Sequence, residues 1–251
     1  MTDVTPPPAP EQTPAWEDLL NILISPVDVF KRRMADPTFA VPLVILTVAL
    51  AVLFMASWDI TDQLRVADGT RQIETVIRNN PNLPAESVEK MRAGVGGGDL
   101  GRYLGGLAVP VFAIFVGLYT WIAAKLVGAR TTMGQSFMIA TFAFTPKIIG
   151  LIIGIVLAVT LPDSMLDGQF RLTLGPGLLI DPDTIRGSYL FALSRLELTT
   201  LWCTLLIALG IKTTGEISGG KAFAAGVMVW ILGGLLPIGG MMVGEIAQGV
   251  K

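Results

Sequence analysis

The sequence has no histidine and a single cysteine, Cys203. Without histidine, histidine-based triads, histidine metal sites and histidine pH switches are excluded. One cysteine can neither close an intrachain disulfide nor build a cysteine metal cluster. Charge is scarce as well. Lys, Arg, Asp and Glu make up 15% of the 251 residues, against roughly 25% in a soluble globular chain. The 18 basic and 20 acidic residues leave a net charge of −2. No nucleic acid is therefore expected as a partner, since nucleic-acid-binding domains are usually strongly basic. Apolar residues fill the space that charge leaves: 52% of the chain, with a mean hydropathy of +0.64. So much apolar surface needs burial that an ordinary soluble domain, or disorder over most of the length, is not expected.

A helix needs about 20 apolar residues to cross a bilayer. Three runs are long enough and carry no charge: Thr38 to Trp58, Tyr103 to Ala124 and Ala222 to Gly244. Two more are interrupted. Thr131 to Pro162 contains Lys147, and Gly187 to Ile211 contains Arg195 and Glu197. The expected fold class is therefore all-α, a polytopic helix bundle with five spans, at 38–58, 103–126, 132–161, 189–211 and 221–244 of one membrane domain, 37–247. Four spans result if the third region forms a re-entrant or interfacial pair of short helices. The first span reads as an uncleaved signal anchor, because its apolar run begins only after a long polar tail. Lys31, Arg32, Arg33, Lys125, Arg130, Lys212 and Lys221 fall on one side of such a bundle. The positive-inside rule then favours a cytoplasmic N-terminus and an extracytoplasmic C-terminus in the inner membrane. Six basic residues in the 44-residue loop Asp59–Arg102 oppose this orientation.

Outside the spans, residues 1–15 hold Pro6, Pro7, Pro8, Pro10 and Pro14 and read as a disordered tail. Residues 16–36 read as an interfacial amphipathic helix, with Trp16, Leu20, Leu23, Val27 and Phe30 at spacings of three and four. Ser25-Pro26-Val27-Asp28 has the residues of a helix start. Lys31, Arg32 and Arg33 close that helix and are candidate lipid-headgroup contacts; the alternative is a topogenic cluster without lipid specificity. Residues 59–98 predict a helical hairpin outside the membrane, from Ile60, Leu64, Ile73, Val76 and Ile77 and a second helix running from Pro84 to Met91. It is either a solvated lid or a docking surface for an extracytoplasmic partner. Gln169 to Leu174 and Leu178 to Ile180, about Gly175-Pro176-Gly177, suggest a short β-hairpin.

Several motifs fail in context. Gly96-Gly97-Gly98-Asp99-Leu100-Gly101 fits a dinucleotide fingerprint in letters only, because no strand precedes it and a span follows. It also fits the G-x-G-D pattern of intramembrane aspartyl proteases, but no second intramembrane aspartate exists to complete that chemistry. Asp99 is better placed as a cap for the second span. Thr132-Met133-Gly134-Gln135 reads as a capping box opening the third. Gly150 and Gly154, Gly226 and Gly233, and Gly240 and Gly244 are candidate helix-packing positions within the chain or between copies. A charge inside the bilayer is expensive and marks either a structural pair or a pathway. Pro146, Lys147, Arg195 and Glu197 are therefore the candidate intramembrane polar site, with the plain alternative that Lys147 snorkels and the other charges sit at the interface. Nothing forms a catalytic or cofactor-binding set, so no cofactor, no metal and no enzymatic activity are expected.

The arrangement resembles the Yip-one domain family of five-span membrane proteins, over about residues 18–247. The resemblance rests on Ser25-Pro26 with Phe30 ahead of the first span, and on Asp36-Pro37 and Pro42 as that span begins. It rests too on Phe142-Ala143-Phe144-Thr145-Pro146 in the third span and Leu198 with Trp202 in the fourth. The Asp-Leu-Tyr-Gly-Pro signature of eukaryotic members is absent, which points away from vesicle traffic and toward a bacterial-type member. The resemblance implies a non-enzymatic membrane adaptor or assembly protein, in some members accessory to an exporter of the ABC class. Partners would be membrane lipids and other membrane proteins, or a second copy. A small transporter or channel using Lys147, Arg195 and Glu197, and a lipid-handling or membrane-shaping protein, are the alternatives.

Overall fold

Long apolar runs have one way to satisfy their backbone in lipid, which is to bond it internally as helix. The computed structural model describes residues 13–95 and 98–247. Most of the proline-rich tail, and Gly96 and Gly97 of the glycine run, lie outside the described residues. Among the described residues, five helical runs are long and apolar enough to cross a membrane, as the hydropathy predicts. They are α3 (Ala40–Ser57), the part of α6 (Gly98–Leu126) from Ala108 onward, the pair α7 (Met133–Ala143) and α8 (Pro146–Thr160), α10 (Leu198–Gly215), and α11 (Gly219–Ala247). Among the described residues there is no strand.

α6 is central. It packs on α3, α7 and α11, and α10 closes the bundle against α11 and α7. The buried core sits toward one end, where Ala123 and Ala124 of α6 meet Met138, Ile139 and Phe142 of α7, Ile207 and Ile211 of α10, and Ala225 and Val229 of α11. Small residues set the spacing there. A Cβ on Gly226 would lie 2.9 Å from the Ala208 Cβ and the Thr204 carbonyl oxygen, so α10 and α11 meet along their backbones. At the same end Thr132 and Gln135 form both bonds of the expected capping box. The Gln135 amide also donates to the Met34 carbonyl at 2.9 Å, which ties the start of α7 to the entry of α3.

The amphipathic segment is two short helices, α1 (Ala15–Asn21) and α2 (Pro26–Arg33), separated by a turn. They close the core: Leu19, Ile22, Val29 and Phe30 are buried with the bundle residues just named. The expected stripe divides. Phe30 is buried, Leu23 packs at the core edge, and Trp16, Leu20 and Val27 stay exposed.

At the other end, α4 (Asp62–Asn79) and α5 (Ala85–Ala93) follow α3. α6 begins at Gly98, so Asp99 lies inside its first turn rather than capping it from ahead. The segment expected as a β-hairpin is instead three 3-10 turns, Asp163–Met165, Gln169–Leu172 and Pro176–Leu179. An isolated hairpin has too few partners to be stable. Here Arg171 draws the chain into a coil, bonding Asp167 through Nε at 2.8 Å and the Leu178 carbonyl through Nη1. The expected span 189–211 is also broken. α9 (Gly187–Ser194) stops, Arg195 to Glu197 are non-helical, and the spanning helix is α10.

Candidate functional site

Pro146 decides the first half of the site. It has no N–H to donate and its ring crowds the preceding turn, so α7 ends at Ala143 and Pro146 becomes the first residue of α8. The connection is a tight turn, with the Lys147 N–H bonded to the Phe144 carbonyl at 2.9 Å. That break throws Lys147 toward α10.

The second half comes from the other interruption. Glu197 is the cap residue of α10, in extended conformation. The Leu198 N–H, which has no partner within the helix, donates to the Leu174 carbonyl at 2.9 Å. Gly175 lies against the Glu197 backbone, where a Cβ would come within 3.0 Å of Cα. The coiled loop thus packs over Glu197 and holds its side chain toward α8.

Lys147 and Glu197 meet as an ion pair, with 31% and 16% of their side chains exposed. Lys147 Nζ also donates to Thr200 Oγ1 at 2.7 Å, while Thr200 and Thr199 donate to Glu197 Oε1 at 2.7 and 3.1 Å. The carboxylate accepts three bonds, and no charge in the group is left alone. A continuous fourth helix would leave Glu197 about 10 Å from the depth of Lys147 by helical rise; the break removes that mismatch. Gly150 permits the approach, since a Cβ there would meet Thr199 at 3.1 Å.

Arg195 does not join this pair. It turns the other way, to α11. Its guanidinium donates to the carbonyls of Trp230 and Gly233, the latter at 3.5 Å, and the Trp230 indole N–H returns a bond to the Arg195 carbonyl at 3.1 Å. Its Cζ lies 5.4 Å from the Trp230 ring centroid. The physical reason is Pro237, inside α11. Proline offers no N–H to the carbonyl four residues earlier, which is that of Gly233, and Arg195 supplies a donor. Gly233 and Gly234 make room for the guanidinium. The expected polar set is therefore two contacts on opposite sides of one helix break.

The candidate packing glycines also separate. Gly226 lies between α10 and α11, Gly233 faces Arg195, Gly150 faces Thr199, and Gly154 faces the Leu172 carbonyl of the coiled loop at 3.0 Å rather than a neighbouring span. Gly240 and Gly244 stand apart: a Cβ on either would meet no atom within 4 Å among the described residues. The three basic residues before α3 differ from one another too. Arg32 and Arg33 both pair with Asp18, which is fully buried on α1, while Lys31 is exposed. Asp18 escaped the sequence reading because it lies one position from the apolar stripe and looks like a solvated charge.

A further polar cluster joins α4 to the coiled loop. Arg71 bonds Asp183 at 2.8 Å and the Asp167 carbonyl at 2.6 Å. Asp68 accepts from the Gln169 N–H at 2.8 Å and from Arg71 at 3.0 Å. Burial pushes the Asp68 carboxyl above its ordinary value in spite of those bonds. The Arg171 hydrogen bond holds Asp167 below the ordinary carboxylate range. Between α4 and α5 a cavity of about 350 Å³ is lined by Val66, Thr70, Ile73, Glu74, Arg92 and Val95. Among the described residues no group of three or more potential metal ligands gathers.

Comparison with known proteins agrees with this architecture. The chain is 25% identical to the membrane protein YknW of Bacillus subtilis (strain 168) over 220 residues, covering 84% of each chain. No solved structure gives a significant match. A family model for the Yip1 domain matches residues 20–241, nearly the whole of the bundle from α1 into α11, and on that match the chain is a multi-pass membrane protein belonging to the Yip1 domain family.

Proposed function

We propose that this protein is a non-enzymatic membrane adaptor, a scaffold that assembles or steadies another membrane complex such as an exporter of the ABC class. One observation carries the reading: the intramembrane charges are consumed by the protein itself. Lys147, Glu197, Thr199 and Thr200 satisfy one another, and Arg195 satisfies carbonyls of α11. A conducting path needs polar groups that a substrate or ion can engage, whereas internally bonded groups fix helix positions. The outward parts, α4 and α5 with the coiled loop, are the surface offered to a partner.

The basic residues Lys31, Arg32, Arg33, Lys125, Arg130, Lys212 and Lys221 belong to the helix ends and loops around the buried core. With the positive-inside rule, this end faces the cytoplasm of a bacterial inner membrane, and α4 and α5 lie outside. Labelling of single cysteines in intact cells tests the orientation. Reagent that enters no cell should modify a cysteine at Glu86 and spare one at Arg130.

Affinity purification of the full chain from its native membranes in mild detergent tests the adaptor role. Recovery with a stoichiometric membrane partner is expected, and recovery of the isolated monomer alone would overturn it. The competing reading, a transporter lined by Lys147, predicts a flux in reconstituted vesicles that Lys147→Met abolishes.

A further inference from the structure

We infer that the α1–α2 hairpin is a membrane-surface foot, held in the headgroup–acyl boundary by apolar insertion rather than by its basic residues. The inference rests on the spans alone and is independent of the adaptor role.

At 100° per residue, α1 divides into three sectors. Asp18, Leu19 and Ile22 face the bundle and are buried. Glu17 and Asn21 form a polar sector. Between them lies a third sector, Trp16, Leu20 and Leu23, in which Trp16 is 56% and Leu20 58% exposed. A helix packed on protein and facing only water needs two sectors. An apolar sector beside the protein-facing one belongs to a helix at the lateral edge, where protein gives way to lipid. The pattern continues through the turn and into α2. Ile24 is 84% exposed, and Val27 lies between buried Phe30 and exposed Lys31 on the helix circumference.

The depth fits the same occupant. α2 ends at Arg33 and the first span starts at Ala40, and the bond from Gln135 to Met34 fixes that connection at the level where α7 begins. α1 also packs on α3, whose Val41, Val44 and Val48 are themselves exposed. Tryptophan at such a level is the usual interfacial anchor.

Charge does not supply the attachment. Residues 13–37 hold Glu17, Asp18, Asp28 and Asp36 against Lys31, Arg32 and Arg33, and two of the three cations are paired with Asp18. That pairing joins α1 to α2 and keeps the apolar sectors of the two helices on one edge.

The test uses the full chain with Cys203→Ala, carrying Leu20→Cys, Ile24→Cys or Asp28→Cys and an environment-sensitive fluorophore, in vesicles of phosphatidylcholine with or without phosphatidylglycerol. The labels at 20 and 24 should show blue-shifted emission, quenching by lipids with a shallow nitroxide, and little quenching by aqueous iodide. The label at 28 should show the reverse. The pattern should persist without the anionic lipid and at about 1 M salt, where the Debye length is only about 3 Å. Iodide quenching at 20 and 24 equal to that at 28 would overturn the inference. So would loss of the lipid contact at high salt, or shielding from iodide without quenching by lipid nitroxide, which would mean that protein covers the edge.

Discussion

Lys147 reaches Glu197 across fifty residues of chain, and each stands where a helix is interrupted. The two interruptions serve one another. Pro146 redirects α8, the coiled loop holds the start of α10, and the pair closes between them. Continuous helices would place the same two charges in lipid at different depths.

Removing one partner should therefore cost more than removing both. Lys147→Met leaves a largely buried carboxylate with only two hydroxyl donors, a loss of about 1–3 kcal/mol. Lys147→Met combined with Glu197→Gln should recover part of it, because two neutral groups need no counter-charge. Thermal unfolding in detergent, followed by circular dichroism for both single variants and the double variant, measures the coupling. Strict additivity would show that the pair contributes no mutual stabilisation.

Arg195 and Gly234 should be coupled in the same way. A Cβ on Gly234 would lie 2.8 Å from Arg195 Nε, so Gly234→Ala displaces the guanidinium from the carbonyl that Pro237 leaves without its helical donor. Overpacking of this kind costs about 1–3 kcal/mol. In an Arg195→Met background the added methyl meets a more pliable neighbour, and its cost should shrink. An unchanged cost would place the clash elsewhere.

The glycines of α11 should divide sharply. Gly226→Ala meets the backbone of α10 at Thr204 and should lower the melting temperature measurably. Gly240→Ala and Gly244→Ala meet nothing among the described residues and should leave the monomer's stability within about 0.5 kcal/mol. Size-exclusion chromatography with light scattering completes the test. If either variant shifts the oligomeric state, those positions face a second copy.

The contact between α4 and the coiled loop should depend on pH in two opposed ways. Asp68, raised by burial, holds its proton more readily when docked. Its contribution is greatest at low pH and declines as pH rises from the ordinary aspartate range through the raised value. Asp167, lowered by Arg171, contributes above the ordinary range, and that contribution is lost as pH falls through the lowered value. Asp68→Asn keeps an acceptor for the Gln169 N–H and removes the burial cost of a charge. Hydrogen exchange of α4 amides in the variant should lose the upper-range decline and keep the acid-side one. A variant profile identical to the native one would remove Asp68 from the contact's titration.

Much of this protein was legible in one dimension. Five spans follow from apolar runs against bilayer thickness, and the capping box at Thr132 and Gln135 follows from local spacing, because both are short-range rules of backbone satisfaction. Pro146 announced its break, whereas the helical donor that Pro237 takes from Gly233 went unread within the apolar run of α11. Which donor answers that carbonyl was not legible, and neither was the destination of Glu197. Both depend on where α10 starts, which a long-range contact of the coiled loop through Leu174 and Gly175 holds in place. The same limit hid Asp18. A lone acid beside an apolar stripe looks solvated until the turn between α1 and α2 folds Arg32 and Arg33 back upon it. Composition and apolar run length were enough to put the chain in a membrane and to mark five runs able to cross it. Which charges neutralise one another came from the folded arrangement, because a buried charge is satisfied by distance and direction, and those are set by packing rather than by spacing along the chain.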